Sequence, residues 1–365
     1  MRRLAILLAL AGVATAQPLV LTSPADYQVF QRQTRDRGTI RVSGHVAVDR
    51  DWVEARIAGG AWSPLTVDPV THRFQASLPA ASGGFFAVEA RVLQSGKAVA
   101  EITVPHVGIG EVFLIAGQSN ATNYGEQRQQ TRSKMVVTFS GGDWRIADDP
   151  QPGVQDNSTK GSFIPAFGDA LYDRLHVPIA VACVGHGSTS IRQWLPKGER
   201  YHTQPTMTRF AVAAGPDAWE STGQLFDGLM WRIAQFPDHG FRALLWHQGE
   251  SDAHQKPDHQ ISAGEYRALT ERLIQASRRQ AGWNFPWFAA QASYHTPDDP
   301  AAPEVRAAQA DLWKSGIALE GPDTDQLTGD NRQNNGKGVH FSAKGLQAHG
   351  RLWAEKVAAY VSSQF

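Results

Sequence analysis

Along the first third of the chain, apolar and polar residues alternate. In "TIRVSGHVAV", Ile40, Val42, Val46 and Val48 fall on one face. The same period of two places Phe74, Ala76 and Leu78 together, and likewise Phe86, Val88, Ala90 and Val92. Ala98, Ala100, Ile102 and Val104 repeat it after a Ser95-Gly96-Lys97 turn. Such alternation with short turns predicts antiparallel strands with one wet face. Residues 17–108 are therefore expected to form a small β-sandwich domain.

From Gly110 the pattern changes. "EVFLIAG", "VPIAVACVG", "FRALLWHQG" and "PWFAAQASY" are almost continuously apolar, as strands buried on both faces are. Between them lie segments with apolar residues at three-to-four spacing: "SFIPAFGDALYDRL", "QLFDGLMWRIAQF" and "SAGEYRALTERLIQASRRQ". A last helix is predicted from Ser342, with Leu346, Trp353, Val357 and Tyr360 or Val361 along one stripe. Alternating strands and helices predict a doubly wound, mostly parallel α/β sheet over residues 109–365. In such sheets ligands bind at the carboxyl ends of the strands.

Composition narrows the function. Lys+Arg and Asp+Glu are both 35, for a formal net charge of zero. Nucleic-acid binders carry a basic surface, so nucleic acid is not an expected partner. The start, "MRRLAILLALAGVATAQP", has two arginines, an apolar run and Ala14-Thr15-Ala16. This is the pattern of a secretory signal over residues 1–16, which places the mature protein outside the cell or in the periplasm. No later segment approaches a transmembrane span, so no membrane association is expected after cleavage. The single cysteine, Cys183, lies in an apolar run and reads as a small buried hydrophobe.

The strand ends collect the polar chemistry. Gly117, Gln118, Ser119 and Asn120 follow the first α/β strand. "VGHGSTSIRQW", with Gly185, Gly187 and Ser188, follows the second, and "WHQGESDA", with Gln248, Glu250 and Asp252, the third. His340 stands in "GVHFSAKG" before the last helix. Acyl transfer needs a hydroxyl, a base for its proton and fixed donors for the oxyanion. Ser119, His340, the backbone N–H groups of Ser119 and Gly187, and the Gln248 amide satisfy that need from four separate places. Each also has a plain reading: Ser119 as a helix cap, Gly187 as an ordinary loop, "QGESDA" as a solvated helix start, His340 as a residue preceding an N-cap at Ser342. Their joint placement at strand ends favours a site.

"AGQSN", "HQGESDA" and "GVHFSAKGLQAHGRLWAEK" together resemble the sialate O-acetylesterase and acetylxylan esterase group of the SGNH hydrolases, carbohydrate esterases related to family six. The resemblance covers about residues 110–361 and extends to the β-rich segment before it. It implies a flavodoxin-like α/β/α fold and a secreted carbohydrate O-acetylesterase without metal or organic cofactor. The substrate would be an acetylated poly- or oligosaccharide of the xylan or sialic-acid type. Residue by residue, it makes Ser119 the nucleophile, His340 the base, and Gly187 or Ser188 together with Gln248 the oxyanion donors.

One position departs from the pattern. The family places an aspartate three residues before the histidine, and here that residue is Lys337. A cation cannot accept the Nδ1–H or stabilise imidazolium. Asp330, Glu250, Asp323 and Asp325 are candidate replacements, as is an amide such as Asn335. Asn120 and Trp194 are candidate substrate contacts, with Trp194 as a stacking platform for a sugar ring. The histidines of "DAHQKPDH" match no metal-ligand spacing and are read as a solvated loop. Two other readings remain: a non-catalytic carbohydrate-binding protein on the same fold, motivated by Lys337, and a general short-acyl esterase.

Overall fold

The computed structural model describes residues 17–365; the expected signal at residues 1–16 lies outside them. The chain divides into two compact units. The smaller comprises residues 17–24, Arg41–Leu78 and Ala87–Val104; the larger comprises Ala25–Ile40, Pro79–Phe86 and Pro105–Phe365. Residues 25–40 and 79–86 sit within the stretch expected to form the amino-terminal domain, yet they cluster with the larger unit.

In the smaller unit the strand Leu19–Ser23 pairs antiparallel with Arg37–Val46, Leu21 opposite Gly44. A Cβ on Gly44 would lie 2.0 Å from the Val20 carbonyl oxygen, so only glycine permits that approach. Trp52–Ile57 pairs antiparallel with Phe85–Gln94, Val53 opposite Val92 and Ala55 opposite Ala90. The alternation in the sequence emerges as burial: Ile40, Val42, Val46, Val53, Ala55, Phe74, Val88, Ala90 and Val92 are all buried.

The larger unit is built on a mostly parallel sheet. Its order is Asp143–Ile146, Val136–Ser140, Ile179–Cys183, the second half of Lys97–Gly117, Ala243–His247, Trp287–Gln291 and Leu319–Asp323. All neighbours run parallel except the Asp143–Ile146 edge. The central strand alternates between two cores. Val112, Leu114 and Ala116 pack with Leu229, Ile233, Leu269, Leu273 and Leu312. Phe113 and Ile115 pack with Phe167, Leu171, Trp353, Val357 and Val361. Helices therefore cover both faces, which is why the strands are continuously apolar in sequence. The predicted helices form at Ile164–Leu175, Gln224–Ala234, Ala263–Ala281 and Ala343–Ser362. Ser342 caps the last one, its hydroxyl accepting from the Gly345 N–H. The strands Val136–Ser140 and Leu319–Asp323, and the helix Pro303–Lys314, carried too little periodicity to be expected.

The chain leaves the central strand first to one side of the sheet and later to the other. The carboxyl end of Lys97–Gly117 is thus the point where the winding reverses, the place where open α/β sheets bind ligands. Gly117, at that end, has φ +130°, and a Cβ there would meet the His247 carbonyl oxygen at 2.0 Å.

Candidate active site

Gly117 lets the backbone turn sharply out of the sheet, with the Gln118 N–H still bonded to the His247 carbonyl. Ser119 begins a single 3-10 turn, Ser119–Ala121, whose N-cap is Gln118. The plain reading of Ser119 as a helix cap therefore does not hold. Among the described residues its hydroxyl has no hydrogen-bond partner, although the residue is only 5% exposed. Its backbone N–H is likewise unpaired, as is that of Gly185. Gly185 is pressed against this turn, since a Cβ on it would lie 3.1 Å from the Gly117 oxygen and 3.4 Å from the Ala121 oxygen.

Asn120 links the turn to the histidine loop. Its Nδ2 donates to Glu250 Oε1 at 2.7 Å and to the Val339 carbonyl at 3.4 Å. Ser119 and His340 are thus each one residue from a shared hydrogen bond. Tyr124, in the chain leaving the turn, lies with its ring centroid 5.1 Å from the His340 ring. The other side of Tyr124 meets Gly187, where a Cβ would come within 2.8 Å of the ring. The first, second and fourth motifs converge here as expected, through a tyrosine the sequence did not single out.

His340 is oriented by Gln333. The amide Nε2 lies 3.0 Å from His340 Nδ1, and the Gln333 N–H donates to the His340 carbonyl at 3.0 Å. Asn334 and Asn335, with φ 54° and 58°, fold the chain back between them. Arg332 anchors this loop from below. It is 2% exposed, donates to the carbonyls of Leu327, Thr324 and Val339, and stacks over Tyr294 and Phe341. Burial pushes the His340 pKa below the ordinary imidazole value. Glu250 pulls it back, while Arg332 and Lys160 add to the lowering.

None of the expected acids takes the orienting position. Asp330 points outward, 87% exposed, and pairs with Lys344. Asp323 and Asp325 are held by Arg306, and Asp325 also accepts from the Ser293 and Tyr294 N–H groups. Asn335 sits in the turn with φ 58°, and it is Gln333 that meets Nδ1. Glu250 bonds to Asn120 and to His247 Nε2 at 3.1 Å, so it acts on His340 through space only. Lys337 is an exposed loop residue.

Glu250 ends a buried chain of polar groups. Trp353 Nε1 donates to His349 Nε2 at 3.0 Å, and an indole nitrogen can only donate. His247 Nδ1 lies 3.2 Å from that same acceptor, so it too must carry a hydrogen. His247 then meets Glu250 Oε1 with its other nitrogen, while Asn120 donates to the same oxygen. Burial works to raise the Glu250 carboxyl, but His247 and Asn120 outweigh it and hold the pKa down to about 2.

Four more expectations change. Gln248 is fully buried, its Nε2 donating to Asp252 at 2.6 Å and to the Thr189 carbonyl at 3.1 Å. Its Oε1 accepts from Tyr266. With both amide hydrogens engaged, it has none to offer an oxyanion in this arrangement. The Gly187 N–H donates to Asp156 Oδ2 at 2.6 Å, while among the described residues the N–H groups of Ser119, Gly185 and Ser188 have no hydrogen-bond partner. Trp194 is fully buried, bonded through Nε1 to Thr189 and edge-on to Trp246, and cannot be a platform. The Asn120 amide is spent on Glu250 and Val339 rather than left for substrate. Asp252 is a hub instead: it accepts from Ser190 Oγ, the Ile191 N–H and Arg192, tying the third motif to the second.

Gln333, Tyr124, Asp156, Arg332 and Lys160 escaped the sequence reading. One signal was present for Gln333: the "QNNG" stretch is rich in turn formers and returns the chain toward His340. Cys183 is inert, its thiol pushed up to about 12 by burial.

Comparison with known proteins follows the same direction. The family model described as "Carbohydrate esterase, sialic acid-specific acetylesterase" matches residues 109–359. A carbohydrate acetylesterase from Xanthomonas citri has a similar fold, with a TM-score of 0.59 and 19% identity over 94% of this chain and 76% of that one. A protein from Arabidopsis thaliana aligns over 69% of this chain and 98% of its own, with a TM-score of 0.46 and 18% identity. No curated protein matches the sequence.

Proposed function

The chain belongs to the sialic acid-specific acetylesterase family of carbohydrate esterases, and from that membership we propose that Ser119 and His340 carry its reaction, with Gln333 positioning the histidine. It is an esterase that removes acetyl groups from carbohydrate. The observation that carries the assignment is the Asn120 bond to the Val339 carbonyl, which holds the serine turn against the histidine loop.

Ser119 Oγ attacks the acetyl carbonyl carbon while His340 Nε2 takes its proton. The oxyanion falls to the free N–H groups of Ser119 and Gly185. The imidazolium then protonates the departing sugar oxygen, and a water repeats the sequence on the acetyl-enzyme. For this, His340 must present a bare Nε2 and carry its hydrogen on Nδ1. Turning the Gln333 amide half round puts Oε1 opposite Nδ1, where it accepts that hydrogen; the same contact then selects the active tautomer. An amide carries no charge, so it stabilises imidazolium less than an aspartate does. The lowered His340 pKa favours the neutral base over a wider pH range than an ordinary imidazole has.

Gln333 removes the main motive for a purely binding protein, since Lys337 need not be compensated by a distant acid. Residues 1–16 support export. The two antiparallel strand sets of the smaller unit support a β-sandwich accessory domain drawn from residues 17–108 without 25–40 and 79–86, beside an SGNH-type esterase over residues 109–365. The substrate is an acetylated xylan-type or sialic-acid-type carbohydrate.

Acetate release from acetylated xylan and from O-acetylated sialic acid, native chain against Ser119→Ala, tests this. The variant should lose roughly 10⁴-fold or more of the rate. Native rates in Ser119→Ala would remove the nucleophile assignment. Sugar binding without turnover by both proteins would instead favour the binding-protein reading.

A further inference from the structure

We infer that His254, His295 and Asp299 form a site for one divalent transition-metal ion of the zinc class. The two histidines come from different loops at the carboxyl end of the sheet. His254 caps the short helix Glu250–Ala253, while His295 and Asp299 belong to the loop after the strand Trp287–Gln291. The segment "DAHQKPDH" holds no ligand set by itself, but the fold brings His254 its partners from about forty residues away.

The three donor atoms lie within 4.8 Å of one another. His254 Nδ1 is 2.5 Å and His295 Nδ1 is 3.9 Å from Asp299 Oδ2. Zinc–ligand bonds of about 2.0–2.2 Å in tetrahedral geometry set neighbouring donors roughly 3.4 Å apart. The observed distances bracket that value. His295 and Asp299 are about half exposed, at 55% and 52%, so both can rotate by the small amount required.

The groups behind the three ligands are already fixed. His254, only 10% exposed, points its Nε2 at the Ser293 carbonyl. A carbonyl only accepts, so Nε2 carries the hydrogen and Nδ1 is the face turned to the other two donors. Ser293 is itself fixed, its N–H and hydroxyl donating to Asp325 at 2.7 and 2.6 Å. The turn holding the other ligands is also closed, with the Thr296 N–H donating to the Asp299 carbonyl at 3.2 Å and the Asp299 N–H to the Thr296 carbonyl at 3.0 Å. Two imidazoles and one carboxylate suit zinc-class ions rather than calcium or magnesium, which select oxygen ligands. Three protein ligands leave a fourth position for water or a substrate oxygen. The ion would clamp the loop that follows Gln248 and Glu250 to the loop beyond it. This inference does not depend on which residue is the nucleophile.

The test is calorimetric titration of tag-free, chelator-stripped enzyme with Zn²⁺, with Co²⁺ absorption as a geometric probe. One equivalent should bind, and Co²⁺ should show the strong d–d bands of a tetrahedral site. His295→Ala and Asp299→Asn, exposed enough to leave the fold intact, should each weaken binding by about tenfold or more. No binding to the native enzyme would overturn the site, and so would unchanged affinity in both variants.

Discussion

Gln333 Nε2 and His340 Nδ1 are 3.0 Å apart, and among the described residues no carboxylate reaches that nitrogen. The position where an aspartate would orient the histidine is served by an amide from seven residues upstream. Gln333→Ala should therefore lower kcat by roughly 10- to 100-fold, part of the about 10²–10⁴-fold that acid–base catalysis supplies, with KM little changed. Gln333→Glu should keep activity and move the acid limb of the kcat/KM profile to higher pH, because a carboxylate favours imidazolium. A Gln333→Ala enzyme with native kcat would show that the contact plays no part.

The lowered His340 pKa makes a prediction about that same limb. Activity requires neutral imidazole, so kcat/KM falls as pH drops through the His340 pKa, which lies below the ordinary value. Lys160 contributes to the lowering, so Lys160→Ala should shift the limb upward, an effect that fades at high salt. Glu250 opposes the lowering, so Glu250→Gln should shift it downward. Profiles that move together in the two variants would contradict this electrostatic account.

Glu250 also links stability to pH. Its carboxyl is held near 2 in the folded chain against an ordinary value of 4.5. A depressed carboxyl stabilises the fold above the ordinary value, and that stabilisation is lost as pH falls from 4.5 toward 2. Its size is on the order of 3 kcal/mol. Thermal unfolding from pH 7 down to the acid range should show a steeper loss for the native chain than for Glu250→Gln. Parallel curves would mean that the buried His247–Glu250 contact does not control acid stability.

Asp252 belongs to the family motif yet does no chemistry in this arrangement. Both it and Arg192 are fully buried side chains 3.2 Å apart. Asp252→Ala leaves the guanidinium without its carboxylate and should cost about 3–5 kcal/mol in urea unfolding. Loss of activity at unchanged stability would instead point to a direct catalytic part.

The sequence by itself determined the larger architecture. Continuous apolar runs such as "EVFLIAG" demand burial on both sides, and helical stripes such as Leu346, Trp353 and Val357 supply the covering layer; both patterns are local and survive without knowledge of the partner. The motif glycines and Ser119 were legible for the same reason, because a strand end has a fixed place in such a sheet. What the tertiary structure decided was where polar hydrogens are spent. Gln248, Asn120 and Trp194 looked available in sequence, but each finds an internal partner once the loops close: Asp252 and Thr189, Glu250 and Val339, Thr189 again. Gln333 looked like an ordinary loop residue until two left-handed asparagines folded it back onto His340. Hydrogen-bond partners are set by distances across loops, and the pattern of residues along a chain does not contain those distances.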